Sequence, residues 1–407
     1  MQIKVLYIHH AGKFGGASRS LFELIDALGN QVDARMICQQ GKVIDIGKKI
    51  GIQFLPVKGV SQFDNSRFGH YRGLRWLILL REFYYLPGLI RSLYKARSAW
   101  KDIDVVHINE ITLLPAIFFV KRILNKPVVV HVRSVQRNKK GIRNWLITSV
   151  INSSSDWLVA IDQTVERSIP KFDVPLSVVH NGINHSSKLS EVENAGNEDE
   201  RKFFTVAMVG SIIHNKGVFE FVKAAALFKQ EGKSIKFLLA GDDLVIKKEG
   251  FVKTILRKLK ITHDIKKEIA KYIAENDIES IIQIMPFTTN MKSIYDNIDV
   301  LCFPSYLNAP GRPVFEAAFS NVPSIVAITQ PTADTIVDKQ TGLCISGPNV
   351  TELYSAIDFL YSNPKKAKEM GKAAGELAFK NFDIHKNATK IKDIYNKLIA
   401  VINKQGN

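Results

Sequence analysis

Pro304-Ser305-Tyr306-Leu307-Asn308-Ala309-Pro310-Gly311-Arg312-Pro313-Val314-Phe315-Glu316-Ala317-Ala318 follows directly on the apolar run Val300–Phe303. Four consecutive apolar residues, three of them β-branched or bulky, read as a buried strand. The Asn/Pro/Gly cluster reads as a loop, and Pro313 suits the first turn of a helix that Val314–Ala318 continues. Strand, loop, helix is the repeating unit of a parallel α/β sheet, whose ligands gather at the C-terminal ends of the strands. Glu316 is expected in the first helical turn. A carboxylate there can accept two hydrogen bonds from a vicinal diol such as a ribose, and it is equally what a helix dipole alone would favour.

Working outward, the same alternation runs along the chain twice. In the first half, strand-like runs Ile3–Ile8, Ala34–Cys38, Val105–Ile108, Pro127–His131, Trp157–Ala160 and Ser177–Val179 alternate with helical patterns near 17–29, 111–124, 141–153 and 163–169. The polar stretch 184–202 breaks the pattern and reads as an interdomain linker. A second series then starts at Phe203–Val209 and runs through Ile235–Ala240, Ile281–Met285, Val300–Phe303, Ser324–Ala327 and Leu343–Ile345. Two doubly wound parallel α/β domains are expected, 1–183 and 203–384, with the final apolar-striped helix 385–404 packing back on the first.

Two further strand-to-helix turns carry glycines. Gly12-Lys-Phe-Gly15-Gly16-Ala17-Ser18-Arg19 follows the first strand, and Val209-Gly210-Ser211-Ile-Ile-His-Asn-Lys216-Gly217 follows the first strand of the second half. Glycines let a backbone approach a ligand, and a helix N-terminus offers free N–H groups to an anion, with Lys216 placed to add charge. Neither is a dinucleotide or Walker fingerprint.

Composition narrows the field. The 407 residues are 46% hydrophobic with three cysteines, Cys38, Cys302 and Cys344, far apart and outside any metal-ligand spacing. Neither a disulfide scaffold nor a zinc site is supported. No apolar run approaches the ~20 residues of a membrane span, and the N-terminus reads as a strand rather than a signal peptide. The net charge is +17, and residues 1–183 hold 26 Lys+Arg against 13 Asp+Glu. An anionic partner for the first half follows.

Together the turns resemble the retaining glycosyltransferase family 4 of GT-B fold, the type that builds bacterial surface polysaccharides. Gly15-Gly16-Ala17-Ser18-Arg19 resembles its N-terminal glycine loop, His180-Asn181-Gly182-Ile183 the turn before its linker, and Val209-Gly210 to Lys216-Gly217 its phosphate turn. Asn308 to Glu316 resembles its E-x7-E signature, and Thr341-Gly342-Leu343 a late turn. The resemblance implies a nucleotide-sugar donor, a UDP-sugar by family frequency, and transfer to a glycan or lipid-linked acceptor. It implies no metal and no other cofactor. His131, Glu316 and Lys216 would be catalytic. Gly15, Gly16, Gly210, Ser211, Lys216, Asn308, Ala309, Pro310, Gly311, Arg312, Pro313 and Glu316 would contact the donor, with Arg19 and Arg133 near phosphate or acceptor. A strand-end histidine such as His131 is, on residues alone, more often structural.

Two positions depart from the family. Ser211 stands where an arginine is common, and Asn308 where a glutamate is. A scaffold that binds sugar nucleotide or glycan without transfer is therefore the alternative reading, and a nucleotide-sugar epimerase a third. Residues 67–101 hold eight Lys/Arg against Glu82, interleaved with Trp76, Phe83, Tyr84, Tyr85, Tyr94 and Trp100. That composition suits a helix on an anionic membrane, which would place the protein peripherally on the cytoplasmic face of the cell membrane. Core-packed helices with a solvated basic face are the other account. Nucleic acid is set aside because no recognition module accompanies the charge. The lysine-rich stretch 247–271 reads as a solvated face or a second membrane contact.

Overall fold

A computed structural model of the chain describes residues 2–67, 69–184, 203–241, 265–286, 288 and 290–405. Residues 185–202 of the linker and 247–264 of the basic stretch 247–271 lie outside these. The chain packs as two units, Met1–Asn184 with Asn381–Asn407, and His185–Lys380.

In the first unit the strands are β1 (Ile3–His9), β2 (Val32–Gln39), β3 (Gln53–Val57), β4 (Val105–Ile108), β5 (Val128–Val132), β6 (Trp157–Ala160) and β7 (Leu176–Val178). They form one parallel sheet in the order β3-β2-β1-β4-β5-β6-β7. The helices are α1 (Gly16–Leu28), α2 (Lys42–Lys48), α3 (Ile78–Ala99), α4 (Leu114–Leu124), α5 (Ile142–Ser154) and α6 (Gln163–Ser168). β5 reads VVVHV and is buried throughout, as a central strand covered on both faces must be. The order reverses between β1 and β4, so the loops after those strands open onto the topological switch point where open α/β sheets bind ligands.

The second unit repeats the plan. β8 (Phe204–Val209), β9 (Ile235–Ala240), β10 (Ile282–Met285), β11 (Val300–Phe303), β12 (Ser324–Ala327) and β13 (Gly342–Ile345) lie in the order β10-β9-β8-β11-β12-β13, with the switch between β8 and β11. Its helices are α7 (Val218–Gln230), α8 (Ile265–Glu275), α9 (Met291–Tyr295), α10 (Arg312–Phe319), α11 (Val350–Ser362) and α12 (Pro364–Asn381).

α13 (Ile384–Gln405) returns to the first unit. Its stripe of Ile391, Ile394, Tyr395 and Leu398 is buried with Leu21, Phe22 and Ile25 of α1. At about 2 kcal/mol for each fully buried apolar side chain, that stripe anchors the tail firmly. The return begins a little before the helix. Ile183 N–H donates to the Phe382 carbonyl at 2.8 Å, and Asn387 Nδ2 donates to the His180 carbonyl at 3.1 Å. These bonds draw residues 381–384 into the first unit, whereas the sequence reading had left them in the second.

The segment 67–101 divides. The C-terminal half of α3 buries Leu89, Leu93 and Ala96 in the core, as the core-packed account expects. Its N-terminal half and the 3-10 turn before it (Gly73–Leu77) leave Leu74, Leu77, Leu80, Phe83 and Tyr84 more than 60% exposed.

Candidate active site

The first unit's strand ends carry a chain of buried polar side chains. His9 closes β1, His107 lies in β4 with Asn109 and Glu110 after it, and His131 lies in β5 with Arg133 after it. Arg133 is the hub. Its Nε donates to Asn109 Oδ1 at 2.8 Å, one Nη donates to Asn181 Oδ1, and the other to His131 Nδ1 at 3.3 Å. Asn109 Nδ2 bonds His9 Nδ1 at 2.9 Å, and His9 Nε2 bonds Ser18 Oγ at 2.9 Å. His107 bonds His131 Nδ1 at 3.2 Å through Nε2 and Tyr395 Oη at 2.6 Å through Nδ1.

Burial sets the charges in this chain. It pushes His9 and His107 down to about 3 and His131 well below the usual histidine range, with Arg133's charge adding to the effect on each. All three are neutral at pH 7. Burial raises the Glu110 carboxyl to about 7 against the opposing pull of Arg133. Arg133 is itself lowered by burial to about 10, so it stays cationic. His131 is 3% exposed, and its Nε2 has no hydrogen-bond partner among the described residues.

Arg19 forms an i,i+4 ion pair with Glu23 at 3.0 Å. Gly15 caps α1 and Gly16 begins it, and a Cβ added at either meets nothing within 4 Å. Packing does not demand glycine at these two positions.

In the second unit two loops are joined at the switch point. The Asn215 carbonyl, after β8, accepts from Ser305 Oγ at 3.1 Å and from Tyr306 N–H at 3.0 Å, after β11. Gly217 has φ +78°, and a Cβ there would stand 1.9 Å from the Pro304 carbonyl oxygen, so only glycine closes this junction. Tyr306 Oη donates to Glu220 at 2.6 Å and fixes the loop from the far side. Gly210 and the exposed Ser211 lead into it.

Lys216 sits in the short 3-10 turn His214–Lys216, half-buried, with Nζ 5.2 Å from the centre of the Phe303 ring. It makes no ion pair or hydrogen bond among the described residues, and burial lowers its pKa. Ala309 and Pro310 complete the loop that leads to Gly311, which rests on the Phe303 ring and caps α10. Arg312 and Pro313 are the first two helical residues, which moves Glu316 to the fifth position, just beyond the first turn where the sequence reading had put it. That spacing lets Arg312 Nε donate to Glu316 Oε1 at 2.7 Å, while Tyr295 Oη donates to Oε2 at 2.8 Å. The carboxylate is held from both sides.

Asn308 adopts φ +51°, the left-handed region that asparagine tolerates better than glutamate. Its Oδ1 accepts from Thr329 N–H at 2.8 Å and its Nδ2 donates to Thr329 Oγ1 at 3.0 Å, tying the loop after β11 to the loop after β12. Asn308 thus clamps these two loops together.

Sequence reasoning missed Asn109, Glu110, His9 and His107, although all four lie at or just beyond the C-terminal ends of strands beside the switch, where the topology directs attention. Tyr295, Thr329 and Tyr395 carried no such signal. Thr341-Gly342 and Gly182 prove to be packing positions: added Cβ atoms would strike the Ser324 carbonyl and Ile384. Among the described residues no cluster of three or more His, Cys, Asp or Glu is placed to hold a metal ion.

Comparison with known proteins follows the two halves. Residues 14–187 match the model for Glycosyltransferase Family 4, and residues 191–377 that for Glycosyl transferases group 1. A glycosyltransferase of Bacillus subtilis, YqgM, is 19% identical over 69% of this chain and 74% of its own length. The capsular polysaccharide biosynthesis glycosyltransferase CapM of Staphylococcus aureus is 19% identical over 53% of this chain and 54% of CapM. Among solved structures, a glycosyltransferase of Rickettsia africae superimposes with TM-score 0.74 at 17% identity, covering 98% of this chain and 99% of that one. Anabaena HepE in complex with UDP gives 0.73 at 16%, covering 97% and 100%. At such identities the structural likenesses speak for the fold.

Proposed function

From the premise that the chain is a glycosyltransferase of GT-B fold, we propose that it moves a sugar from a UDP-sugar to a lipid-linked glycan acceptor of a surface polysaccharide, with retention of configuration. The observation that carries the donor half of this reading is Lys216. A half-buried ammonium with no anion beside it is costly, and a ligand diphosphate would repay the cost. In this reading Lys216 also takes up the negative charge that develops on the leaving diphosphate. Glu316, oriented by Arg312 and Tyr295, accepts from the ribose hydroxyls; a carboxylate offers about four acceptor sites. For the first unit, the family resemblance assigns Gly15 and Gly16 to the donor phosphates and His131, whose Nε2 has no partner among the described residues, to the transferred sugar. The structures of HepE with UDP and with UDP-glucose, and the capsular role in CapM's name, support the UDP donor and the polysaccharide product.

The membrane half rests on exposed side chains. Leu74, Leu77, Leu80, Phe83 and Tyr84 are joined by Ile142 and Trp145 of α5, which the sequence reading did not single out. Arg143 links the two segments, its guanidinium 5.0 Å from the Trp76 ring centre and its Nη2 donating to the Tyr71 carbonyl at 2.8 Å. Lys139, Lys140, Arg72 and Arg75 flank the patch. Aromatic and leucine side chains among cations fit the interface of an anionic bilayer, and no described helix is long and apolar enough to cross one. Peripheral attachment at the cytoplasmic face follows from this reading.

The test is a donor panel. Purified protein is titrated with UDP-, GDP- and ADP-sugars, following thermal shift and nucleotide release with and without lipid extract, in EDTA and in magnesium. A UDP-sugar shift with lipid-dependent, EDTA-insensitive release is expected, and is lost in Glu316→Gln. A shift with no release from any lipid or glycan would favour the second reading, a binding scaffold. The exposed Ser211 and the engagement of Asn308 with Thr329 are what favour that reading.

A further inference from the structure

A cavity of about 580 Å³ opens within the first unit, beside the polar chain around Arg133: His10 lines it, with its ring centre 5.2 Å from that of His9. Its floor is the close contact of Gly12 and Gly41, where a Cβ on Gly41 would lie 2.3 Å from the Gly12 carbonyl oxygen. Its lining includes Lys13 and Lys42 and, from α3, Arg81 and Tyr85. No carboxylate is among the described lining residues. Lys13 and Lys42 are exposed and make no ion pair among the described residues. Arg81 is held from behind. The buried Glu82 accepts from its Nε at 3.0 Å while also accepting from Gln62 N–H at 2.9 Å. Three cationic residues thus line a space larger than a single ion needs, two of them without a counter-charge among the described residues.

α3 has a second face. Arg81 and Tyr85 are one turn apart and line the cavity, while Leu77 at the helix N-cap and Leu80 and Tyr84 on the adjoining stripe are more than 60% exposed. The same two turns of helix therefore present cations to a polar cavity and apolar side chains to its outside. We propose that this cavity binds the phosphate that joins lipid and glycan in a polyprenyl-type acceptor, through Lys13, Lys42 and Arg81, with the acceptor's hydrocarbon beginning along Leu77, Leu80 and Tyr84. The inference rests on the lipid-linked acceptor proposed above and adds the chemical class and the residues that select it. A linking diphosphate carries about two negative charges to share among several cations, whereas the phosphodiester of a bulk phospholipid carries one.

The test uses the full chain and phosphatidylcholine vesicles carrying a polyprenyl phosphate, against vesicles brought to equal charge with phosphatidylglycerol. Lys13→Gln with Lys42→Gln, both at exposed positions, is expected to weaken binding to polyprenyl-phosphate vesicles roughly tenfold and to leave the phosphatidylglycerol vesicles and the nucleotide thermal shift unchanged. Leu80→Ser with Tyr84→Ser is expected to weaken both vesicle types. An equal loss on both vesicles in the lysine variant would overturn the site in favour of general charge attraction, and no loss on either would overturn it outright. Displacement by inorganic phosphate as effective as by polyprenyl phosphate would overturn the lipid as the source of the phosphate. Wild-type transfer to lipid extract with an unchanged acceptor KM in the lysine variant would sink this site while leaving the transferase reading standing. Selective loss of polyprenyl-phosphate binding where the wild type transfers to no lipid would uphold the site and remove that reading.

Discussion

Arg133 approaches His131 with an Nη 3.3 Å from Nδ1, and the pairing fixes the histidine's tautomer. A guanidinium has only donors, so Nδ1 must be an acceptor and the proton must sit on Nε2. His107 Nε2 lies 3.2 Å from the same Nδ1, whose single lone pair the two donors then share, and His107 Nδ1 lies 2.6 Å from Tyr395 Oη. A residue of α13, 288 positions downstream of His107, thereby takes part in orienting the strand-end histidines.

The expected consequence is a neutral His131 with its proton on Nε2 from pH 5 to pH 8, read by two-bond ¹⁵N–¹H correlation of the imidazoles. Arg133→Met should release the tautomer preference. His131→Ala should lower kcat by about 10²-fold or more, the usual cost of one aimed donor, with the nucleotide thermal shift intact. Finding the proton on Nδ1 would refute the assignment.

Asn308 can be given the glutamate that is common in the family it resembles. Asn308→Glu places a glutamate at φ +51° and removes the Nδ2 bond to Thr329, so the second unit should lose about 1–2 kcal/mol. For a unit of this size that is a Tm lowered by roughly 2–8 °C. Asn308→Gly should keep the backbone and lose only the clamp. An Asn308→Glu protein with unchanged Tm and faster transfer would mean that the carboxylate reaches the donor and the clamp is dispensable.

The fold was legible because parallel strands buried on both faces leave continuous apolar runs, as Val128–Val132 does, and because Gly and Pro mark the turns between them. β3 was missed because Gln53-Phe-Leu-Pro-Val57 is an edge strand, half-exposed and carrying a proline, which removes both the apolar run and one donor. The donor-side residues were legible as a linear motif. Tyr295 and Thr329 were not, because each reaches its partner across 21 positions and no local pattern encodes that distance. The role of Asn308 could not be read at all, since the residue type is compatible with either a ligand contact or a left-handed turn and only φ decides.

The polar chain of the first unit makes a pH prediction. His9 and His107 are lowered to about 3 and His131 well below its usual value, so below pH 6.5 the unfolded chain binds three protons that the folded one refuses. Their stabilisation is present above pH 6.5 and is lost as pH falls toward 3. Glu110, raised to about 7, has the opposite sign: it favours the folded state below about pH 4.5 and loses that effect as pH rises through 7. Between pH 4.5 and 6.5 the histidines win, and His10, lowered by burial as well, acts on the same side, so unfolding takes up at least about two protons net and stability falls as pH falls. Urea unfolding followed across that window should show this slope, and Glu110→Gln, which keeps the acceptor for Ile111 N–H, should steepen it by about one proton. A flat profile in the wild type would mean that the histidines are already protonated in the fold.

Lys216 separates function from stability most sharply. An unpaired, half-buried ammonium costs the apo protein its hydration, whereas a methionine of similar length would lie against the Phe303 ring without that cost. Lys216→Met should therefore leave the apo Tm unchanged or raise it by a few degrees, while abolishing the thermal shift produced by a UDP-sugar. Lys216→Arg, which keeps the charge but not the compact head, should retain part of the shift. A Lys216→Met protein that melts lower than the wild type would show that the ammonium is paired and structural. One that still binds the sugar nucleotide would move the diphosphate elsewhere in the second unit, with Arg312 the next cation at the switch point.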